Sequence, residues 1–227
     1  MDLQSAGYGI VIVVSVNIGR PVVLVRHGRQ YSTAINRQPA AGPLRLSQTG
    51  FVGDRVSDDR CHGGPHRAAC VYPHDHYPYF ARRLGRELGV PSFGENLTTQ
   101  GWLETDACIG DVCRVGGATV QISSPRQPCS KLALKHDAPE LVGWIRATGY
   151  SGFYLRVLEE GDVTAGDAIR LVERPHPEHS LARVQHALFA REPDRELLRR
   201  MAALPELSPS YGHSLHRRLN GDLIDGE

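Results

Sequence analysis

From residue 10 to about residue 172, hydrophobic positions come in short runs rich in Val and Ile, cut by polar stretches that carry glycine. The runs Ile10–Val16, Pro21–Arg26, Ala68–Tyr72, Cys113–Val115, Thr119–Ser123, Gly152–Val157 and Ala168–Leu171 have the length and β-branched content of strands. Their separators include "CHGGPHR", "GG" at 116–117 and "EEGDVTAGD". Many short strands with turn signals at close spacing predict a mainly β fold, closed or sandwiched, with a few helices.

Two stretches break the β pattern. In "PHDHYPYFARRLGREL", Tyr77, Phe80, Leu84 and Leu88 step by three and four residues, which predicts a helix. "DAPELVGWIRATG" predicts a second, with Asp137 as N-cap and Gly149 as its stop. At "VERPHPEHS" the texture changes, and glycine disappears until Gly212. Ser180 reads as the N-cap of "LARVQHALFA", with Leu181, Val184 and Leu188 on one face. "DRELLRRMAAL" follows with Leu197, Leu198 and Met201 in register, and "SYGHSLHRRL" makes a third helix. The expected division is a mainly β domain over 10–173 and a small C-terminal three-helix bundle over 178–220.

Composition narrows the classes. The 227 residues carry a net charge of +1, so no global field draws the chain to a nucleic-acid backbone. No run approaches the roughly 20 apolar residues of a membrane helix. Ile10–Val16 is too short, and lacks the charged flank, for a secretory leader, so the expectation is a cytoplasmic protein with reduced thiols. Five cysteines include no Cys-x-x-Cys pair, which speaks against structural zinc.

One cysteine is framed differently from the rest. In "SSPRQPCSK", prolines 125 and 128 bracket Arg126-Gln127 and stiffen the turn that presents Cys129, with Arg126 and Lys131 nearby. Positive charge favours thiolate, and a thiolate on a fixed turn suits a soft metal or an electrophile. A small hydrophobe filling a core is the other reading of the same residue. Gly63-Gly64, between His62 and His66, allows close backbone approach to an anion, or a plain tight turn. Glu95-Asn96 can accept donors from a heterocycle or cap a turn. Arg156, between Leu155 and Val157 in a strand, needs an anionic partner, either a ligand or a carboxylate of the fold.

Taken in order, "GD" at 53–54, "HGG" at 62–64, "FGENL" at 93–97, "IGD" at 109–111, "QISSPRQPC" at 121–129, "GFYLRVLEEG" at 152–161 and "AGD" at 165–167 resemble the MOSC domain family. That family takes its name from the C-terminal domain of molybdenum cofactor sulfurase. The whole pattern is similar to its stand-alone YiiM-type members, in which a β-barrel is followed by three helices. The resemblance implies a pocket for the molybdenum cofactor (molybdopterin), with Cys129 as the molybdenum ligand or sulfur carrier. It places His62, Gly63, Gly64, Glu95, Asn96, Arg126 and Arg156 on pocket-lining motifs. Arg37 stands where the family commonly has a lysine, a planar fork in place of a point charge. The implied activity is reduction of N-hydroxylated compounds such as 6-N-hydroxylaminopurine. The alternative is a carrier of cofactor or sulfur without turnover. The chain shows no flavin, haem or iron–sulfur motif, so a separate electron-donating reductase is expected, to which the appended helices offer a dock. A homodimer is compatible with the sequence.

Overall fold

The computed structural model describes residues 11–26, 28–57 and 63–222. In chain order the strands are β1 (Ile12–Ile18), β2 (Val22–Arg26), β3 (Arg29–Thr33), β4 (Gln38–Pro39), β5 (Leu44–Ser47), β6 (Gly50–Phe51) and β7 (Ala69–Pro73). Next come β8 (Leu97–Gln100), β9 (Val112–Val115), β10 (Ala118–Pro125), β11 (Phe153–Glu159), β12 (Gly161–Val163) and β13 (Ile169–Glu173). Eight of them form one sheet in the order β13-β9-β10-β11-β7-β8-β1-β4. All its pairs are antiparallel except β7 with β8. The sheet curls until β13 reaches β1: Ile12 bridges Ala168, and Ile169 N–H donates to the Val11 carbonyl at 2.9 Å. This contact ties edge strand β13 to β1, the neighbour of β4 at the far edge, and gives the curled, barrel-like sheet that the short-strand pattern predicts.

Among the described residues, six α-helices pack around the barrel. α1 (Tyr77–Leu84) opens with Pro78 in its first turn and stops at Gly85, whose φ is 65°. The sequence pattern carried this helix to Leu88, but left-handed Gly85 ends it a turn earlier. α2 (Ser130–His136) begins immediately after Cys129, where the sequence suggested only a turn. Asp137, expected as an N-cap, is instead the left-handed C-cap of α2 at φ 53°. Aspartate tolerates that conformation because its short polar side chain bonds locally. α3 (Leu141–Thr148) ends at Gly149 as expected.

α4 (Leu181–Phe189), α5 (Arg195–Ala202) and α6 (Pro209–Leu219) follow. Ser180 caps α4 by accepting from Arg183 N, and Asp194 caps α5 by accepting from Leu197 N at 3.0 Å. Their apolar faces are not a separate core. Leu181, Val184, Leu198, Met201 and Leu215 belong to the same buried cluster as Val13, Val71, Val120, Phe153 and Leu155 of the barrel. Short helices such as these gain most of their stability from tertiary burial. A second cluster lies under α1–α3: Tyr72, Tyr77, Phe80, Phe93, Leu132, Leu141 and Ile145. Phe93 stacks on Tyr72 with ring centroids 4.1 Å apart. This aromatic layer backs the segment Phe93–Asn96, which carries part of the cavity described next.

Candidate functional site

A cavity of about 810 Å³ opens between the barrel and the loops that precede β7. Cys129, Arg126, Arg37, Lys131, Arg67 and Cys70 all face it. Pro125 ends β10 opposite Phe153, and Arg126 N–H still donates to the Gly152 carbonyl at 2.9 Å, so the chain leaves the sheet in a fixed direction. Gly152 makes this approach feasible. Its φ is 75°, and a Cβ there would run into the Val71 carbonyl. Cys129 then adopts an extended conformation as the N-cap of α2, while its side chain makes no capping bond. The half-buried thiol is therefore left to the cavity.

The surrounding charge is positive. Arg126 is almost fully buried and donates through Nη1 to the Phe93 carbonyl at 2.8 Å. Burial opposes its charge, but Cys70, Tyr154, Cys129 and Glu95 together outweigh that and raise its pKa. Arg67 lies over the Tyr154 ring at 5.4 Å and reaches Ser210 of α6 at 2.8 Å, while its buried Nε has no partner among the described residues. Lys131 Nζ donates to Ser57 Oγ at 3.1 Å. Arg20 and Arg55 complete the cationic lining. Burial pushes the Cys70 thiol up, a trend that Arg126 and Arg37 counter only partly.

The only carboxylate on the described wall is already saturated. Asp54 accepts from Arg37 Nε at 3.0 Å, Arg37 Nη2 at 2.7 Å, Gly19 N at 2.8 Å and Asn96 Nδ2 at 2.9 Å. Arg37 also donates to the Gly94 carbonyl at 2.5 Å. Glycine suits position 94 on two counts: its φ is 72°, and a Cβ there would sit 2.7 Å from Ile35 Cγ1.

Of the residues singled out from the sequence, Cys129, Arg37, Gly63, Gly64, Asn96 and Arg126 come together at this cavity. His62 lies outside the described residues. Two others go elsewhere. Glu95 is fully buried behind the wall, accepting from Tyr77 Oη, Thr98 Oγ1 and Phe93 N. Next to Asn96 in the chain, it points away from the cavity into the aromatic layer. Arg156 also misses the cavity. It donates to the Glu206 carbonyl at 2.6 Å and to Gln121 Oε1 at 3.3 Å. Tyr154 of the same strand lines the cavity, but two residues farther along, that face is covered by the link between α5 and α6. Its partner is thus the helical segment, where the sequence suggested a ligand or a barrel carboxylate.

Sequence reasoning missed the role of Asp54, although Gly53-Asp54 stood out as a motif. It also missed Cys70 and Tyr154, which sit in strands and look like ordinary core from sequence. Among the described residues, no three His, Cys, Asp or Glu side chains gather as a metal site. A metal here would rely on the thiol together with a ligand of its own. The donor set suits such a group: one soft sulfur, several cations and an unpartnered buried Arg67 Nε, in a space large enough for a pterin.

Comparison with known proteins matches residues 58–170 to the MOSC domain and residues 180–222 to the YiiM-like, 3-alpha helix domain. The chain is 47% identical over 162 residues to the uncharacterized protein YflK of Bacillus subtilis, covering 71% of this chain and 73% of that protein. It is 36% identical over 182 residues to a reductase of Gibberella moniliformis, covering 78% of this chain but only 32% of that longer protein. The crystal structure of YiiM from Geobacillus stearothermophilus superposes with a TM-score of 0.78 at 37% identity, over 92% of this chain and 99% of that one.

Proposed function

The chain belongs to the MOSC domain family, and on that premise we propose that it is a molybdenum-cofactor-dependent reductase of N-hydroxylated compounds, 6-N-hydroxylaminopurine among them. The observation that carries this reading is the convergence of the Cys129 thiol with Arg126, Arg67, Lys131 and Arg37 on one cavity whose single described carboxylate is already neutralised. Such a lining attracts an anionic, phosphate-bearing group and offers it a sulfur ligand. The likeness to a protein named a reductase supports an enzyme over a carrier.

In this reading Cys129 ligates the metal. Arg126, Arg67 and Lys131 hold the cofactor's anionic parts, and the Arg37–Asp54 pair fixes the opposite wall. The bound cofactor supplies two-electron redox chemistry at molybdenum. The protein's part is to orient the substrate and keep the site dry, with the aromatic layer behind Phe93 closing the back. The overall change converts R–NHOH, two electrons and two protons into R–NH2 and water. The electrons would come from a separate reductase, and the cytoplasm is the compartment we propose. Among the described residues, no helix is long and apolar enough to cross a membrane.

The test is elemental analysis of protein purified from a host that makes the cofactor, for wild type and Cys129→Ala. Near-stoichiometric molybdenum in the wild type and its loss in the variant are expected, with 6-N-hydroxylaminopurine reduced only by the wild type. Wild-type protein free of molybdenum and pterin would overturn the reading. Loaded protein that passes on cofactor or sulfur without turnover would make it a carrier.

A further inference from the structure

The helical segment meets the barrel along a seam behind the cavity. Four pieces form it: the single helical turn Pro65–Arg67, the bulge of β10 at Ser123, Arg156 of β11 and the start of α6. Direct bonds close them into one circuit. Ser208 N donates to the Ser123 carbonyl at 2.8 Å, and Ser123 Oγ donates to the His66 carbonyl at 2.6 Å. Arg67 Nη2 donates to Ser210 Oγ at 2.8 Å. Arg156 Nη2 donates to the carbonyl of Glu206, two residues before Ser208, at 2.6 Å. Burial lowers the His66 pKa and the Arg156 charge lowers it further, so these two side chains are neighbours. None of His66, Arg156 and Ser208 lines the cavity.

Three polar atoms of the seam are buried without a partner among the described residues: Ser208 Oγ, Arg156 Nε and His66 Nδ1. Buried polar atoms so rarely lack partners that each calls for an account. Ser208 is the plainest case. It is 0% exposed and stands at the N-cap of α6, yet its hydroxyl makes no capping bond. A serine in that place ordinarily accepts from an amide of the first turn. Pro209 has no amide to offer, and nothing among the described residues accepts from Ser210 N or Tyr211 N. Two amides and a free hydroxyl thus lie together at the positive end of an 11-residue helix.

Charge chooses the occupant. Arg156 gives its other nitrogens to uncharged acceptors, the Glu206 carbonyl and Gln121 Oε1. Burial lowers its pKa against the pull of Glu206, whose carboxylate is held by His176 at 2.8 Å. No ion pair joins Arg156 or Arg67 to a carboxylate among the described residues. Two guanidiniums repel a cation, and a neutral water would leave the half-buried Arg156 charge uncompensated. An anion accepts from all these donors at once, a guanidinium N–H, a hydroxyl and the amides of a helix start.

We propose that the seam at the start of α6 binds a small inorganic anion, to which Ser208 Oγ, Arg156 Nε and the Ser210 and Tyr211 amides donate. His66 Nδ1–H completes the shell from the barrel side. The anion fastens the helical segment to the barrel, and it does so whatever the cavity binds.

The test follows thermal unfolding of the full chain, as purified, in chloride and in phosphate, each against gluconate (a bulky organic anion) at equal ionic strength. Wild type should melt about 3 °C or more higher in at least one of the two, because a ligand of the folded state stabilises it. The salt that acts identifies halide or oxyanion. Ser208→Ala and Arg156→Met should each lose most of that difference. The readout is a difference between salts, so a lower baseline stability in a variant does not imitate the loss. The cationic cavity also attracts anions, and a salt effect that survives in both variants belongs there and overturns the proposal. No salt effect in wild type overturns it too. Crystals grown in the stabilising anion, with bromide standing for chloride, then give the position. An anomalous bromide peak or tetrahedral phosphate density in contact with Ser208 Oγ and Arg156 Nε supports the site. Ordered water there overturns it, and an ion there without the variant-sensitive salt effect is an adventitious ion only and overturns it as well.

Discussion

Arg37 and Asp54 meet edge to edge, Nε on Oδ1 at 3.0 Å and Nη2 on Oδ2 at 2.7 Å, with both side chains about nine-tenths buried. The pair links three pieces of chain, because Asp54 also holds Gly19 N and Asn96 Nδ2 while Arg37 holds the Gly94 carbonyl. Asp54→Ala removes the counter-charge and leaves a buried guanidinium unpaired, which costs about 3–5 kcal/mol. Arg37→Lys keeps the charge but cannot make the parallel fork, so it should cost about 1–2 kcal/mol. Urea unfolding should rank wild type, Arg37→Lys and Asp54→Ala in that order, with retained molybdenum falling in the same order. An unchanged Asp54→Ala midpoint would mean that the pair does not hold the wall together.

Glu95 acts through Phe93 and not on a ligand. Its two oxygens accept from Tyr77, Thr98 and the Phe93 amide, and the Phe93 carbonyl in turn holds Arg126. Glu95→Gln turns one acceptor into a donor among donors, at a cost of about 1–3 kcal/mol. Stability and molybdenum content should fall together, while turnover per bound molybdenum stays within about threefold. A variant that keeps its metal yet loses turnover would show that Glu95 serves the substrate after all.

Arg156 fastens the helical segment to the barrel. Its guanidinium spans from Gln121 of β10 to the Glu206 carbonyl between α5 and α6. Arg156→Met should cost about 1.5–3 kcal/mol through loss of bonds from a charged donor. Hydrogen exchange should quicken across residues 181–219 while molybdenum content stays at the wild-type level. Loss of molybdenum with unaltered exchange in the helices would return Arg156 to the pocket.

The strands were readable because Val and Ile runs fit a half-buried pleat with little ambiguity: β1 and β2 lie within two residues of the runs expected at Ile10–Val16 and Pro21–Arg26. The caps at Ser180 and Gly149 were equally plain, since each marks a local backbone need. α2 was not, because seven residues after a Pro-Cys turn carry too little periodicity to separate helix from loop. At the site, Cys129 and Arg126 were legible from the prolines that aim them. Direction was not legible. Glu95 and Asn96 are adjacent, and only the left-handed turn at Gly94 decides which faces the cavity. Arg156 failed for a longer-range reason, since its partner lies fifty residues away in a segment whose docking no local pattern encodes.

Lys135 gives the fold a pH signature. It lies on α2 with Nζ donating to the carbonyls of Ile35 at 3.2 Å and Pro91 at 3.3 Å, beneath the wall that carries Arg37 and Arg126. Burial lowers its pKa to about 8; Glu95 opposes this, and Arg126 and Arg37 reinforce it. The native state therefore releases this proton near pH 8, while the unfolded chain keeps it to about pH 10.4. Between those values the unfolded state binds more protons, so this group's contribution makes stability rise with pH, at up to about 1.4 kcal/mol per unit. Below pH 8 both states are charged and the full penalty is present. Buried tyrosines and cysteines titrate in the same range with the opposite sign, so the wild-type curve alone does not isolate the lysine. Lys135→Met does: the difference in unfolding free energy, wild type minus variant, should climb by about 2–3 kcal/mol from pH 7.5 to pH 10. A difference that stays flat over that range would mean that Lys135 is solvated in the folded protein and carries an ordinary pKa.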